Sequence, residues 1–186
     1  MGLIRNAMEQ GKQARKALKQ KIKPSRNNKL HDVIIVGAGP AGISATLAAH
    51  QNKLNYVTIE QDSLGGTVFN FPRGKVVMTA PVDLPIIGKV KIRETSKEAL
   101  LELWQSNEQK TGIEIQYKEK VEAITKEESG FLVKTDKAEY HSQTVLLSIG
   151  RRGTPRKLGV EGESLSKVTY QLIDAEQYTN QKVLIV

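Results

Sequence analysis

The stretch "DVIIVGAGPAG", residues 32–42, decides how the rest of the chain is read. "DVIIV" is a short apolar run of the kind that forms a buried strand. "GAGPAG" is a turn, and "ISATLAAHQN" after it reads as a helix of small and apolar residues. "NYVTIE", residues 55–60, reads as a second strand. Together they make a βαβ unit of about thirty residues, the usual size for that motif. Gly37, Gly39 and Gly42 stand in G-x-G-x-x-G spacing, and Glu60 closes the second strand. Alone that spacing is weak. Between a strand and a helix, with an acid ending the next strand, it reads as a dinucleotide-binding loop. Gly37 permits the tight turn, Gly39 lets a pyrophosphate approach bare backbone, and Gly42 lets the helix pack close to the strand. The helix N-terminus offers unpaired N–H groups and a positive dipole to phosphate. The Glu60 carboxylate suits a ribose diol and would repel a 2′-phosphate, so the bound adenosine is expected to be unphosphorylated.

Outward from this unit, residues 3–19 are expected to be helical, with Ile4, Ala7, Met8, Gly11, Ala14 and Leu18 at spacings of three or four. Residues 1–30 hold nine Lys/Arg against Glu9 alone, which accounts for the whole net charge of +8 and leaves the remainder balanced. Such a helix either packs through its apolar stripe with a solvated basic face or meets an anionic partner such as a lipid surface. "KPSRNNK", 23–29, reads as a linker. Residues 64–94 read as an irregular stretch, rich in Gly and Pro, which in a compact domain is more often functional than idle. A helix is expected at about 96–111, with Thr95 and Glu98 as a capping box and Ala99, Leu100, Leu103 and Trp104 as its apolar face. "VEAITK" and "FLVKT", joined by "EESG", read as a hairpin, with Trp104 in the core. "VLIV", 183–186, reads as a buried parallel strand.

The composition excludes several chemistries. There is no cysteine, so disulfides, thiolate-held clusters and a thiol nucleophile are absent from these residues. The three histidines are scattered without ligand spacing, and no metal is expected. No apolar run reaches membrane-spanning length, and charge at Arg5, Glu9, Lys12 and Arg15 breaks any secretory signal pattern.

With Pro40 and Ala41 the loop reads "GAGPAG", and here the chain resembles the thioredoxin-reductase-like group of pyridine nucleotide–disulfide oxidoreductases. Three further stretches carry the resemblance. "LGGTVFNFPRG", 64–74, is similar to the group's flavin-side segment. "LLSIGRRGTPRKLGVEGE", 146–163, is similar to its "ATG..PR.L.IPGE" crossover, and "NQKVLIV" to the opening strand of its inserted NAD(P)H domain. The resemblance implies an α/β, Rossmann-like FAD-binding domain with a parallel sheet and a β-meander or hairpin, over residues 31–165. A basic leader and linker would fill 1–30. Residues 166–186 would be a crossover and the first strand of a truncated NAD(P)H domain. It further implies that Gly37, Gly39, Pro40, Ala41 and Gly42 hold the FAD pyrophosphate and that Glu60 holds the ribose. Gly65, Gly66 and Thr67 would run beside pyrophosphate and flavin, Asn70 would lie near the isoalloxazine, and Val121 would face the adenine through its backbone. Ser148, Ile149 and Gly150 stand where the group has Ala-Thr-Gly, whose backbone passes the cofactor.

One departure redirects the function. The stretch "VTYQLIDAEQY", 168–178, stands where the group's thioredoxin reductases carry Cys-x-x-Cys, and it has no thiol. The resemblance is then closer to ferredoxin–NADP reductases of this fold and bacillithiol-disulfide-reductase-like proteins. It implies hydride transfer from NAD(P)H to FAD and on to an external acceptor, a ferredoxin or a disulfide. No residue offers itself as general acid or base, and no catalytic residue is assigned. The expected setting is cytoplasmic, with the basic leader able to meet the inner face of a membrane, no nucleic-acid partner, and a homodimer as in the parent family. The strand "KVLIV" implies that a second glycine loop follows in the parent protein, of which this chain would be a fragment. Other readings are an inactive nucleotide-binding or tethering module, and a flavin monooxygenase, against which the "GRRGTPRKLGV" crossover and the chain order argue.

Overall fold

The computed structural model describes residues 3–22, 30–150 and 156–185. Helix α1 spans Leu3–Lys21, strand β1 Leu30–Val36, helix α2 Pro40–Gln51 and strand β2 Tyr56–Glu60. Four three-residue strands follow: β3 Val76–Met78, β4 Val82–Leu84, β5 Gly88–Val90 and β6 Glu94–Ser96. Helix α3 covers Lys97–Thr111, then come β7 Gln116–Tyr117, β8 Val121–Glu127, β9 Gly130–Thr135 and β10 Glu139–Leu147. One 3-10 turn lies at Glu176–Tyr178.

The main sheet has the order β7-β2-β1-β10-β9-β8. β7, β2, β1 and β10 run parallel, while β10, β9 and β8 alternate in direction as a meander. β1 is central and pairs on both sides, Val33 with Tyr56 and with Thr144. A strand covered on both faces should be apolar at every position. Val33 and Ile35 indeed pack with Ala45 and Ala49 of α2, while Ile34 and Val36 pack with Ile59 and Val133 on the other face.

α2 is buried at every position from Gly42 to Ala49. A helix that is apolar or small all round must be covered all round. The sheet covers one flank of α2 and α1 covers another. Gly11 sits inside α1, where glycine costs about 1 kcal/mol relative to alanine, and packing explains it. A Cβ at Gly11 would overlap the carbonyl oxygen of Ala41 and lie 3.1 Å from Ser44 Cβ. The Ser44 hydroxyl donates to the Met8 carbonyl at 2.8 Å. Lys12 Nζ donates to Asp83, at 2.9 Å to the main-chain oxygen and 2.9 Å to Oδ2. The apolar stripe of α1 through Ile4, Met8 and Gly11 is thus used inside the fold. The linker at 23–29 and the Leu18 side chain fall outside the described residues.

Three expectations about 64–111 need correction. The stretch is not irregular throughout: β3 pairs antiparallel with β6, and β4 with β5. Strands of three residues are too short to show a period, although Val82 and Leu84 are buried around exposed Asp83. The cap of α3 is Ser96, whose Oγ accepts from Ala99 N–H at 3.1 Å. The helix begins at Lys97, so Thr95 stands one residue too early to cap it. Glu98 instead accepts from Gly74 N–H at 3.2 Å, and main-chain N–H groups hold its carboxyl below the usual range. α3 stops at Gly112 with φ +67°, a left-handed cap. Leu100 and Trp104 are buried as expected, while Ala99 is exposed.

The hairpin of β8 and β9 is present, with a bulge between Val121 and Ala123. The expected C-terminal strand is not: residues 182–185 have no strand structure, and Leu184 and Ile185 are 86% and 90% exposed. An apolar run becomes a strand only beside a hydrogen-bonding neighbour, and none of the described strands borders this one.

A candidate dinucleotide site at the end of the first strand

The three loop glycines answer three different demands. Gly37 takes φ +102°, a conformation side chains avoid. It donates its N–H to Ile59 O at 2.7 Å, carrying the parallel β1–β2 ladder one residue into the loop. A Cβ there would also come within 2.6 Å of the Ser148 carbonyl. Gly42 admits the helix: its Cβ would overlap the carbonyl oxygen of Gly37. Gly39 is the opposite case. Its φ of −75° and ψ of −175° suit any residue, and its Cβ would meet nothing within 4 Å. Nothing in the protein requires glycine at this position, and the open space lies at the start of α2. No side chain caps that helix, and Pro40 has no N–H. The N–H groups of Ala41 and Gly42 fall in the first turn and have no intrahelical acceptor. The arrangement is an uncapped, positively polarised helix end with a bare approach.

Glu60 ends β2 and is 6% exposed. Its Oε2 accepts from Ala38 N–H at 2.7 Å and Oε1 from Asp62 N–H at 2.9 Å. Each carboxylate oxygen can accept more than one hydrogen bond, so the pair fixes the carboxylate beside the loop and leaves acceptor capacity. Glu119 N–H donates to the Glu60 carbonyl at 3.1 Å, which carries the start of β8 alongside. Val121 there packs against the group of Val36, Ile59 and Val133. Nearby, the Tyr117 hydroxyl donates to Glu108 Oε1 at 2.9 Å, and burial, then that bond, raises its pKa above the usual phenol value.

A second loop stacks on the first. Gly65 N–H donates to Ala38 O at 2.9 Å, and a Cβ on Gly66 would stand 3.2 Å from Gly39 Cα. The Trp104 ring lies beneath Gly65, 3.2 Å from where a Cβ would be. Thr67 Oγ1 faces Gly150, 3.9 Å from its notional Cβ. Ser148 Oγ lies 2.8 Å from Val36 O and 2.9 Å from Gly37 O, so its hydroxyl holds the mouth of the glycine loop. Asn70 turns back on its own loop, donating Nδ2–H to Gly66 O at 3.0 Å. Ile149 is exposed.

The structure therefore brings Gly37, Gly39, Pro40, Ala41, Gly42, Glu60, Gly65, Gly66, Thr67, Ser148 and Gly150 to one place, with Val121 at its border. Sequence reasoning missed the hydroxyl of Ser148, the N–H of Ala38 and the brace of Gly11 and Ser44. The only sequence signals for the brace are a glycine inside a helix and a hydroxyl inside an apolar one. Among the described residues no group of three or more His, Asp or Glu could hold a metal ion, and no helix is long and apolar enough to cross a membrane.

The family model described as pyridine nucleotide-disulphide oxidoreductase matches residues 34–186. A ferredoxin–NADP reductase of Picrophilus torridus is 31% identical over 162 residues, covering 84% of this chain and 46% of the relative. Among solved structures, the bacillithiol disulfide reductase Bdr of Staphylococcus aureus superposes with a TM-score of 0.65 at 24% identity, over 78% of this chain and 46% of that one. The thioredoxin reductase of Streptococcus pyogenes superposes with a TM-score of 0.52 at 29% identity, over 74% and 40%. The chain spans about half the length of the curated relatives it matches.

Proposed function

The chain belongs to the pyridine nucleotide-disulphide oxidoreductase family, and from that membership we propose that residues 31–165 bind FAD as part of an NAD(P)H-dependent oxidoreductase. Gly37, Gly39, Pro40, Ala41 and Gly42 hold the pyrophosphate at the N-terminus of α2, and Glu60 accepts from the adenosine ribose. Gly65, Gly66 and Thr67, with Ser148, Ile149 and Gly150, border the dinucleotide, Val121 lies on the adenine side, and Asn70 lies toward the isoalloxazine. The bound flavin supplies acceptance of a hydride from NAD(P)H and its onward passage as electrons. The chain's own residues bind and orient. The external acceptor is a ferredoxin or a disulfide compound, because these residues contain no thiol pair to serve as an internal relay. The whole protein works in the cytoplasm, as a homodimer, with the basic leader, 1–30, meeting an anionic membrane surface.

The single observation that carries this reading is Gly39, a glycine with unremarkable backbone angles facing empty space at an uncapped helix end. The residues present fit FAD, whose adenosine carries no 2′-phosphate for Glu60 to repel. The test is a titration of the purified chain with FAD, followed by flavin fluorescence and the visible spectrum. Saturable binding with an oxidised-flavin spectrum is expected. An absence of saturation at flavin concentrations up to about 1 mM, far weaker than ordinary cofactor affinity, refutes the assignment.

A further inference from the structure

We infer that α1 is a working part of the dinucleotide site: it fixes the first turn of α2, and Gly11 and Ser44 are positioning residues for the bound pyrophosphate. This rests on the proposal that the loop binds FAD. Three contacts carry it. Gly11 abuts the carbonyl oxygen of Ala41 so closely that no side chain fits between them. That oxygen belongs to the same rigid peptide plane as the Gly42 N–H, one of the first-turn donors that faces the anion. A shift at the carbonyl is therefore transmitted to the donor. The second contact is the buried hydrogen bond from Ser44 Oγ to Met8 O, 2.8 Å long, which locks the two helices in register one turn further on. The third is Lys12, whose paired bonds to Asp83 tie the outer side of α1 to β4. On its other side α2 is already in contact with the Gly37 carbonyl through Gly42. The first turn is thus held between Gly37 on one side and Gly11 on the other. A leader segment that stands out in the sequence for its basic charge sets the aim of the phosphate-binding N–H groups.

The experiment uses the full chain and two readouts: the FAD dissociation constant from fluorescence quenching, and the thermal midpoint without FAD. Gly11→Leu pushes the helices apart, and a loss of FAD affinity of about tenfold or more is expected, because small misplacements of positioning groups have large effects. Ser44→Ala removes the hydrogen bond without adding bulk, and a loss of about threefold to tenfold is expected. Leu54→Ala, beyond the C-terminal end of α2 and packed with Val33 and Ala49 at the end away from the glycine loop, serves as the control. It lowers the midpoint yet should leave FAD affinity within about twofold, because distant independent sites do not couple. Should Gly11→Leu fail to fold, Ser44→Ala decides the matter. Equal FAD affinity in the parent chain and Ser44→Ala overturns the inference, as does an equal loss in Leu54→Ala. A parent chain that binds no FAD overturns the proposed function itself, and this inference with it.

Discussion

Gly39 and Gly42 stand in one loop and lack side chains for opposite reasons, which makes them separable by measurement. At Gly39 the backbone is extended and the Cβ direction is empty. Gly39→Val should change the stability of the ligand-free chain by no more than about 1 kcal/mol, through its cap position and the unfolded chain. It should nevertheless remove FAD binding, because the branched side chain fills the pyrophosphate approach. Gly42→Ala should instead destabilise the ligand-free chain, by about 3 kcal/mol in a urea melt, by forcing the helix off the Gly37 carbonyl, with FAD affinity falling as the first turn moves. A Gly39→Val chain that still retains flavin would contradict the site. Another residue-level test concerns Tyr140. Its hydroxyl donates to Glu119 Oε1 at 2.9 Å, and burial, then that bond, pushes its pKa up to about 12. A raised phenol contributes stability that is fully present below its ordinary value near 10 and is lost as pH rises through about 12. Tyr140→Phe should lower stability at neutral pH by about 1 kcal/mol and flatten the fall in stability across that alkaline window, followed by thermal melts. The glycines and Glu60 were legible because their spacing carries their geometry. Ser148 was not, because its hydroxyl acts on a carbonyl 112 positions earlier and local sequence holds no trace of that pairing.

At the scale of elements, what was legible followed length and period. α3 was found from its apolar face, β1 and β2 from apolar runs, and β8 with β9 from the turn between them. The small strands β3 to β6 escaped because three residues cannot establish an alternation. Thr95 was misread as a cap because capping residues are adjacent here, and the helix begins one residue later than expected, at Lys97, which puts Ser96 at the cap. The two readings make different predictions. Ser96→Ala should cost about 1 kcal/mol of stability, while Thr95→Ser should leave the helix cap unaffected. Trp104→Ala should cost about 3–5 kcal/mol and also weaken FAD binding, because the indole is the floor under Gly65. Parallel urea and FAD titrations of the variant would check both effects. α2 itself carried the clue that it needed cover on more than one side. The cover came from α1, whose apolar stripe announced that it packs, but whose closest contact is made by the absence of a side chain at Gly11, so the stripe did not name its partner.

For the molecule as a whole, charge and exposure distribute unevenly. A recess of about 820 Å³ between α1 and the β4–β6 region is lined by Arg5, Lys89, Lys91 and Arg93 together with Glu9, Asp83 and Glu94, and it shares no lining residue with the glycine loop. Residues 156–185 expose Leu158, Val160, Leu165, Val168, Tyr170, Leu172, Ile173, Leu184 and Ile185. Arg73 anchors this segment, donating its main-chain N–H to Ile173 O at 2.7 Å and placing its guanidinium 3.7 Å from Asp174. The C-terminal run was legible as apolar, but whether such a run pairs depends on neighbours that its own residues do not specify. The parallel pairing of β1 with β10 has a consequence in time. During synthesis the first strand emerges more than a hundred residues before its partner, an interval of about 5–20 s at ordinary elongation rates. Until Ser148 arrives to hold Gly37, the nucleotide loop lacks one wall, so the nascent chain is a poor trap for flavin and capture follows closure. FAD added to a refolding mixture should therefore leave the rate of folding unchanged and slow only the reverse reaction.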